Sequence, residues 1–170
     1  QSNTSVIENT TIEDISMTGG DLTSNDFGAI LVLGAADNAK IDNIKTSGGY
    51  YIGIGAEWNG SDTYYSPKNT RVNVAVIDGT KDYGMWFSGT VGTQVNSSVV
   101  KNGKDGITFV VGDVGGEANY KAINSIIETC TFVGNSQYNI RISGEDGSSN
   151  YYPTPISVKN NNLNGGTLSI

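Results

Sequence analysis

YGMWFSG, running from Tyr83 to Gly89, is the stretch whose reading decides the fold. Its apolar residues alternate, so a strand here puts Met85 and Phe87 on one face and Trp86 on the other. The same pattern returns as FGAILVLG from Phe27, YIGIG from Tyr51, DGITFVVG from Asp105 and YNIRISG from Tyr138, and begins again as GTLSI at Gly166. Aligned, the copies predict a first inward row of Ala29, Ile52, Met85, Ile107, Ile140 and Leu168. A second row would hold Leu31, Ile54, Phe87, Phe109, Ile142 and Ile170. Successive copies lie between 22 and 33 residues apart.

A second alternating element precedes each copy and ends at Ile15, Ile44, Ile77, Val100, Phe132 and Leu163. Five residues before each of these stand Thr10, Ala39, Val72, Val95, Ile127 and Val158. Short turns such as DGTKD and KNGKD join the elements, where Gly, Asn and Asp accept the backbone conformations that turns need. Two or three short strands in a minimum of about 22 residues is one coil of a parallel β-solenoid. No coil can bury its apolar side alone, so stacking supplies the core. The expectation is an all-β, right-handed parallel β-helix of five to six coils, forming one domain over residues 1–170. An antiparallel sandwich does not explain why one motif recurs with the same flanks, and no segment has the periodicity of a helix. Two residues before each preceding strand's end lie Glu13, Asp42, Ala75, Ser98, Cys130 and Asn161, a column expected to form a sharp corner with Cys130 as a small buried filler.

Composition narrows the chemistry. The chain has 170 residues, no histidine, one cysteine and a net charge of −7. Without histidine there is no imidazole base and none of the common His metal sites, and one cysteine cannot build a disulfide framework. Neither a metal nor a cofactor is expected. The acidity argues against nucleic acid and anionic membranes as partners, and no apolar run is long enough to span a bilayer. The chain opens at Gln1, breaks off within a coil and shows no capping helix. It therefore reads as a fragment of a longer β-helix or fibre, flanked by further coils or by copies of itself.

The irregular length is concentrated. Ala56–Asn69, Asp113–Lys121 and Glu145–Pro155 all follow the Gly-ended strand, so they should rise along one edge. Insertions on one face of a solenoid usually mark the binding face. These carry Trp58, Tyr64, Tyr65, Tyr120, Tyr151 and Tyr152 beside Glu57, Asp113, Glu117 and Glu145. Aromatic faces pack on the C–H faces of sugars, and carboxylates and amides bind hydroxyls; the alternative is that the tyrosines fold back to pack the loops. Trp86 should project outward between Gly53 and Thr108, in a column ending at Arg141. Paired carboxylates hydrolyse glycosides at separations of about 5 Å or about 6.5–9.5 Å. Glu57 and Glu145 fall about 14 Å apart along the axis by strand spacing, whereas Asp113 and Glu145, one coil apart, could pair, with Glu117 as a loop alternative. A lyase would need a base such as Lys121, Arg141 or Tyr120, and the scarcity of basic residues makes it the weaker class. Asp82 and Asp105 follow lysines in matching turns and read as turn residues.

With its rungs YGMWFSG, DGITFVVG and YNIRISG and its loops on one edge, the chain resembles the pectate-lyase-like superfamily of β-helices, and most of all the β-helical body of phage tailspike proteins. The resemblance implies a trimer, on a virion or otherwise outside the cell, that binds and often cleaves bacterial surface polysaccharide. It covers nearly the whole chain but is architectural, and it transfers no catalytic residue. Three functions follow: a polysaccharide depolymerase, a non-catalytic carbohydrate-binding or adhesin module, and a structural spacer in a fibre.

Overall fold

A computed structural model describes residues 7–19, 28–33, 36–57, 67–111, 124–144 and 156–169. Around the first two sides of each turn the chain enters the left-handed backbone region every five residues and turns a corner. The first such column is Asn9, Asn38, Asn69, Gly92 and Asn124; the second is Asp14, Asn43, Val74, Ser97, Thr129 and Asn160; the third is Gly19, Gly48, Gly79, Asn102, Gly134 and Gly165. Asn, Asp and Gly dominate because they tolerate positive φ. Ser97, Thr129 and Val74 depart from this, and Val74, at φ 52, is the one with no polar side-chain atom to bond the local backbone. Its β-branched side chain is strained there by about 1–2 kcal/mol, and it stands 44% exposed, so no burial offsets that cost.

Between corners the side chains alternate. The residue after each corner points inward and is usually small, as at Ala39, Thr70, Thr93 and Ser125 or at Ala75, Ser98 and Cys130, all buried. Two residues later comes a larger inward residue. Ile41, Val72, Val95 and Ile127 form one such row and Ile77, Val100 and Phe132 another, each fully buried. Corner, small, outward, large, outward is therefore the five-residue unit, and two units make two sides of each turn.

The result is a parallel β-solenoid with no helix among the described residues. Three parallel sheets of six strands each form its sides. The first contains Thr11–Glu13, Lys40–Asp42, Arg71–Asn73, Gln94–Asn96, Ser125–Glu128 and Ile156–Lys159. The second contains Ser16–Thr18, Lys45–Ser47, Val76–Asp78, Val99–Lys101, Thr131–Val133 and Asn162–Asn164. The third, with the longest strands, contains Gly28–Leu33, Ile52–Glu57, Tyr83–Ser88, Asp105–Val111, Tyr138–Gly144 and Thr167–Ser169. The solenoid amounts to about four turns, those stacked on both sides, rather than five to six, because the outermost rungs of each sheet have a neighbour on one side only.

Inside, Met85, Ile107 and Ile140 stack as expected, and so do Phe87, Phe109 and Ile142. In the earlier coils the pairing is displaced. Met85 lies on Ile54 rather than Ile52, and Ile54 lies on Ile30 rather than Leu31, so in the first rung Ile30 and Val32 point into the core while Ala29 and Leu31, expected inside, take the other face. Ile77 lies on Thr46 and Val72 on Ile41, each two residues from the residue expected. The corner column likewise runs through Ile15 and Ile44 instead of Glu13 and Asp42 before reaching Ala75, Ser98, Cys130 and Asn161. Where the displacement is two residues the in–out alternation is unchanged, so the apolar pattern could not detect it; in the first rung it is one residue, which exchanges the faces, and the unbroken apolar run Ala29–Leu33 offered no alternation to fix them. Cys130 sits in that corner 1% exposed, its amide donating to Asn161 Oδ1 at 2.8 Å.

Candidate functional site

The three excursions leave from one edge. Glu57 pairs with Ser88 and Ser88 with Val110, while Val111 pairs with Gly144, so the strands Ile52–Glu57, Asp105–Val111 and Tyr138–Gly144 end within a residue or two of the same height. Trp58, Tyr64, Tyr65, Asp113, Glu117, Tyr120, Glu145, Tyr151 and Tyr152 lie outside the described residues. Of the expected site residues, Glu57, Trp86 and Arg141 can be placed.

All three belong to the outer face of the third sheet. One outward column runs Leu31, Gly55, Trp86, Thr108, Arg141, and the next runs Leu33, Glu57, Ser88, Val110, Ser143. Trp86 is thus flanked by Gly55, not Gly53, the same two-residue displacement as inside. A Cβ on Gly55 would meet the Leu31 side chain at 2.8 Å, so Leu31 lies over it. Trp86 is half-buried rather than fully exposed. Its ring packs on that of Tyr83, with centroids 4.5 Å apart, and Tyr83 in turn meets Tyr51 edge-on at 5.8 Å. Glu57 lies one rung from Trp86 and two residues further along its strand.

Reading the sequence as turns missed the group at the centre of this face. Asp105 pairs in the ladder with Tyr83 on one side and Tyr138 on the other, and is 0% exposed. Its neighbour on the next rung is Arg141, whose Nη1 stands 3.6 Å from Asp105 Oδ2 and whose guanidinium lies 5.5 Å from the centre of the Tyr138 ring. Neither carboxylate oxygen of Asp105, nor the buried Thr108 hydroxyl beside it, has a well-formed hydrogen bond. Burial pushes the Asp105 carboxyl above the ordinary aspartate value, against the opposing pull of Arg141 and Lys104. Burial also raises the Tyr83 phenol, helped by Asp82 and Asp105. Asp82 is bound to Lys104 at 2.7 Å on the rim.

Chemically the cluster is a fixed guanidinium held by a buried acid and a tyrosine face, next to a tilted pair of aromatic rings. That arrangement can present a flat apolar platform and directed N–H donors to one ligand. The sequence signal for Asp105 was available: it is the one carboxylate in a ladder position filled by tyrosine in the rungs before and after it.

The raised Asp105 value predicts a pH effect. A carboxyl whose folded-state pKa is raised supports the fold fully below the unfolded value and loses that support as pH rises through the folded one. Asp105→Asn should therefore stabilise the protein at pH 7 by on the order of 1 kcal/mol, and the gain should disappear near pH 3. Urea unfolding at both pH values measures it. An equal effect at the two would show that ionisation is not the cause.

Comparison with protein-family models, curated proteins and solved structures gave no match to this chain.

Proposed function

We propose that this protein binds an extracellular polysaccharide on the outer face of its third sheet. The observation that carries the reading is the Tyr83–Trp86 ring pair set beside Arg141 on a sheet whose strand ends release all three long excursions. Sugars need that combination of an apolar ring face and fixed polar groups close by. Cleavage by carboxylates of the excursions, Asp113, Glu117 and Glu145, accompanies this reading as a hydrolase mechanism. Among the described residues Glu57 and Asp105 lie on opposite ends of the face, two rungs and five residues apart, so they do not form a hydrolytic pair. The finer assignments belong with the same proposal: right-handed winding, a pectate-lyase-like body of the tailspike kind, assembly as a trimer, and a place on a virion or outside the cell. In keeping with this, no helix among the described residues is long and apolar enough to cross a membrane.

The test is a glycan array followed by titration of any hit. Trp86→Ala should weaken binding at least about tenfold, equivalent to about 1.4 kcal/mol, with the fold intact by circular dichroism. Asp113→Asn, Glu117→Gln and Glu145→Gln, assayed singly for reducing-end release, address cleavage. An array without signal, or a Trp86→Ala protein that binds as well as the parent, removes the binding face from consideration.

A further inference from the structure

The sequence holds three Asn–Gly pairs, Asn59–Gly60, Asn102–Gly103 and Asn164–Gly165, and the first lies outside the described residues. An asparagine followed by glycine is prone to modify itself, because the glycine nitrogen, with no Cβ beside it, can reach the preceding side-chain carbonyl carbon. The fold treats the two described pairs differently.

Asn102–Gly103 is restrained at both reacting groups. Asn102 stands in the third corner column at φ 57, and its Nδ2 donates to Asp78 Oδ1 at 2.7 Å. The attacking group is engaged too: the Gly103 N–H donates to Asn135 Oδ1 at 3.2 Å, and Gly103 is buried. The strands of their rung are paired on both sides. Asn164–Gly165 has none of these restraints. Here the glycine, at φ 88, takes the corner, and the asparagine ends the strand before it. Both residues are exposed. Among the described residues neither the Asn164 side-chain amide nor the Gly165 N–H makes a hydrogen bond, and the strand Asn162–Asn164 is laddered on one side only. Local opening there breaks fewer contacts.

We propose that Asn164–Gly165 is a site of spontaneous covalent modification, converting to aspartyl and isoaspartyl forms while Asn102–Gly103 persists. The Gly165 nitrogen bonds to Asn164 Cγ, the Cγ–Nδ2 bond breaks, and ammonia leaves with the proton that the nitrogen gives up. Water then reopens the resulting succinimide ring at either carbonyl. Opening at Cγ leaves an ordinary aspartate; opening at the main-chain carbonyl routes the chain through Cγ and lengthens it by one carbon. The second product is the disruptive one. The Asn164 carbonyl accepts from the Gly134 N–H at 3.1 Å, and the Gly165 and Gly166 carbonyls accept from Asn139 Nδ2 at 3.3 and 3.1 Å. Asn139 is fully buried, so a lengthened corner strips acceptors from an amide that has no water to replace them. The strand that follows, Thr167–Ser169, loosens in consequence. The site shares no residue with the Trp86 face, so its failure would leave the binding reading standing.

The experiment is incubation of the whole folded chain at about pH 8, with peptide mapping by mass spectrometry over time and isoaspartate measured by enzymatic methyl transfer to its free carboxylate. Conversion at Asn164 should run at least about tenfold faster than at Asn102. In urea the two rates should converge, since the restraints on Asn102–Gly103 are gone. Hydrogen exchange at the Gly134 amide should quicken with age in the parent and stay constant in Asn164→Gln, which keeps the amide but closes the ring far more slowly. Equal rates at the two asparagines in the folded protein, a faster Asn102, or a tenfold difference that survives in urea would overturn the assignment. Conversion at Asn164 with unchanged Gly134 exchange would overturn the loosening of the rung.

Discussion

Replacing Phe109 by alanine is expected to cost about 3–5 kcal/mol, the range for truncating a buried phenylalanine. Phe109 is 0% exposed and lies at mid-stack, with Phe87 beneath it, the ring centroids 5.0 Å apart, and Ile142 above. In a solenoid the rungs are locked together by their strand ladders, so the neighbours cannot close readily over the cavity. For a chain of this size about 4 kcal/mol corresponds to a fall in melting temperature of roughly 10 °C. Calorimetry measures this, and Phe109→Leu should recover most of the loss. A fall below about 1 kcal/mol for Phe109→Ala would mean that the third sheet can slide to fill the gap, and that its stacked rows are not rigid.

Gly106→Ala should be nearly as damaging although it adds a single methyl. A Cβ there would stand 2.2 Å from the Asn139 carbonyl oxygen and 2.8 Å from Phe132 Cδ1. The first obstacle is the backbone of the next rung, which cannot rotate away, so the ladder itself must open. The cost is expected at about 3 kcal/mol, the upper part of the usual range for overpacking. The same collision recurs down the stack: Gly84 faces the Gly106 carbonyl and Gly53 the Gly84 carbonyl, each at 2.6 Å. The column ends at Asn139 because the following rung shifts register there, leaving room for an amide that donates to the Gly165 and Gly166 carbonyls at 3.3 and 3.1 Å. Gly134→Asn is the control. Gly134 lies in the left-handed corner column that Asn102 occupies one rung earlier, and its nearest obstacle is the flexible end of that asparagine at 3.1 Å. It should cost less than about 1 kcal/mol. Chemical denaturation of the two variants separates backbone collision from loss of a glycine as such.

The two glycines also show which parts of the design are visible in a sequence. Gly134 belongs to a five-residue rhythm in which Asn, Asp and Gly fill most corners, with Val74, Ser97 and Thr129 as the exceptions. Phasing the coils by that rhythm, instead of by the apolar residues, would have placed Ile41, Thr46 and Ile54 correctly. Apolar alternation has a period of two, so it cannot distinguish a strand from the same strand moved by two residues. Corner residues can, since only one position in five must tolerate positive φ. The small role of Gly106 in the sequence, by contrast, gives no hint of the carbonyl 2.2 Å from its missing side chain.

What this chain determined by its sequence alone is the parallel stack: the inward rows from Tyr83 onward and the long excursions leaving from one edge, because each follows from local alternation and spacing, while the choice of three sides to a turn over two came from the structure. The tertiary structure alone decided the register of the early coils and the character of Asp105. In the sequence Asp105 follows a lysine in a turn and looks like any solvated carboxylate. Only the stacking of Tyr83 below it and Tyr138 with Arg141 above removes its water. Burial depends on which residues arrive from other coils, 22 residues before and 33 after; the aligned repeats set Asp105 in a column of tyrosines, but neither its loss of water nor the approach of Arg141 follows from that alignment.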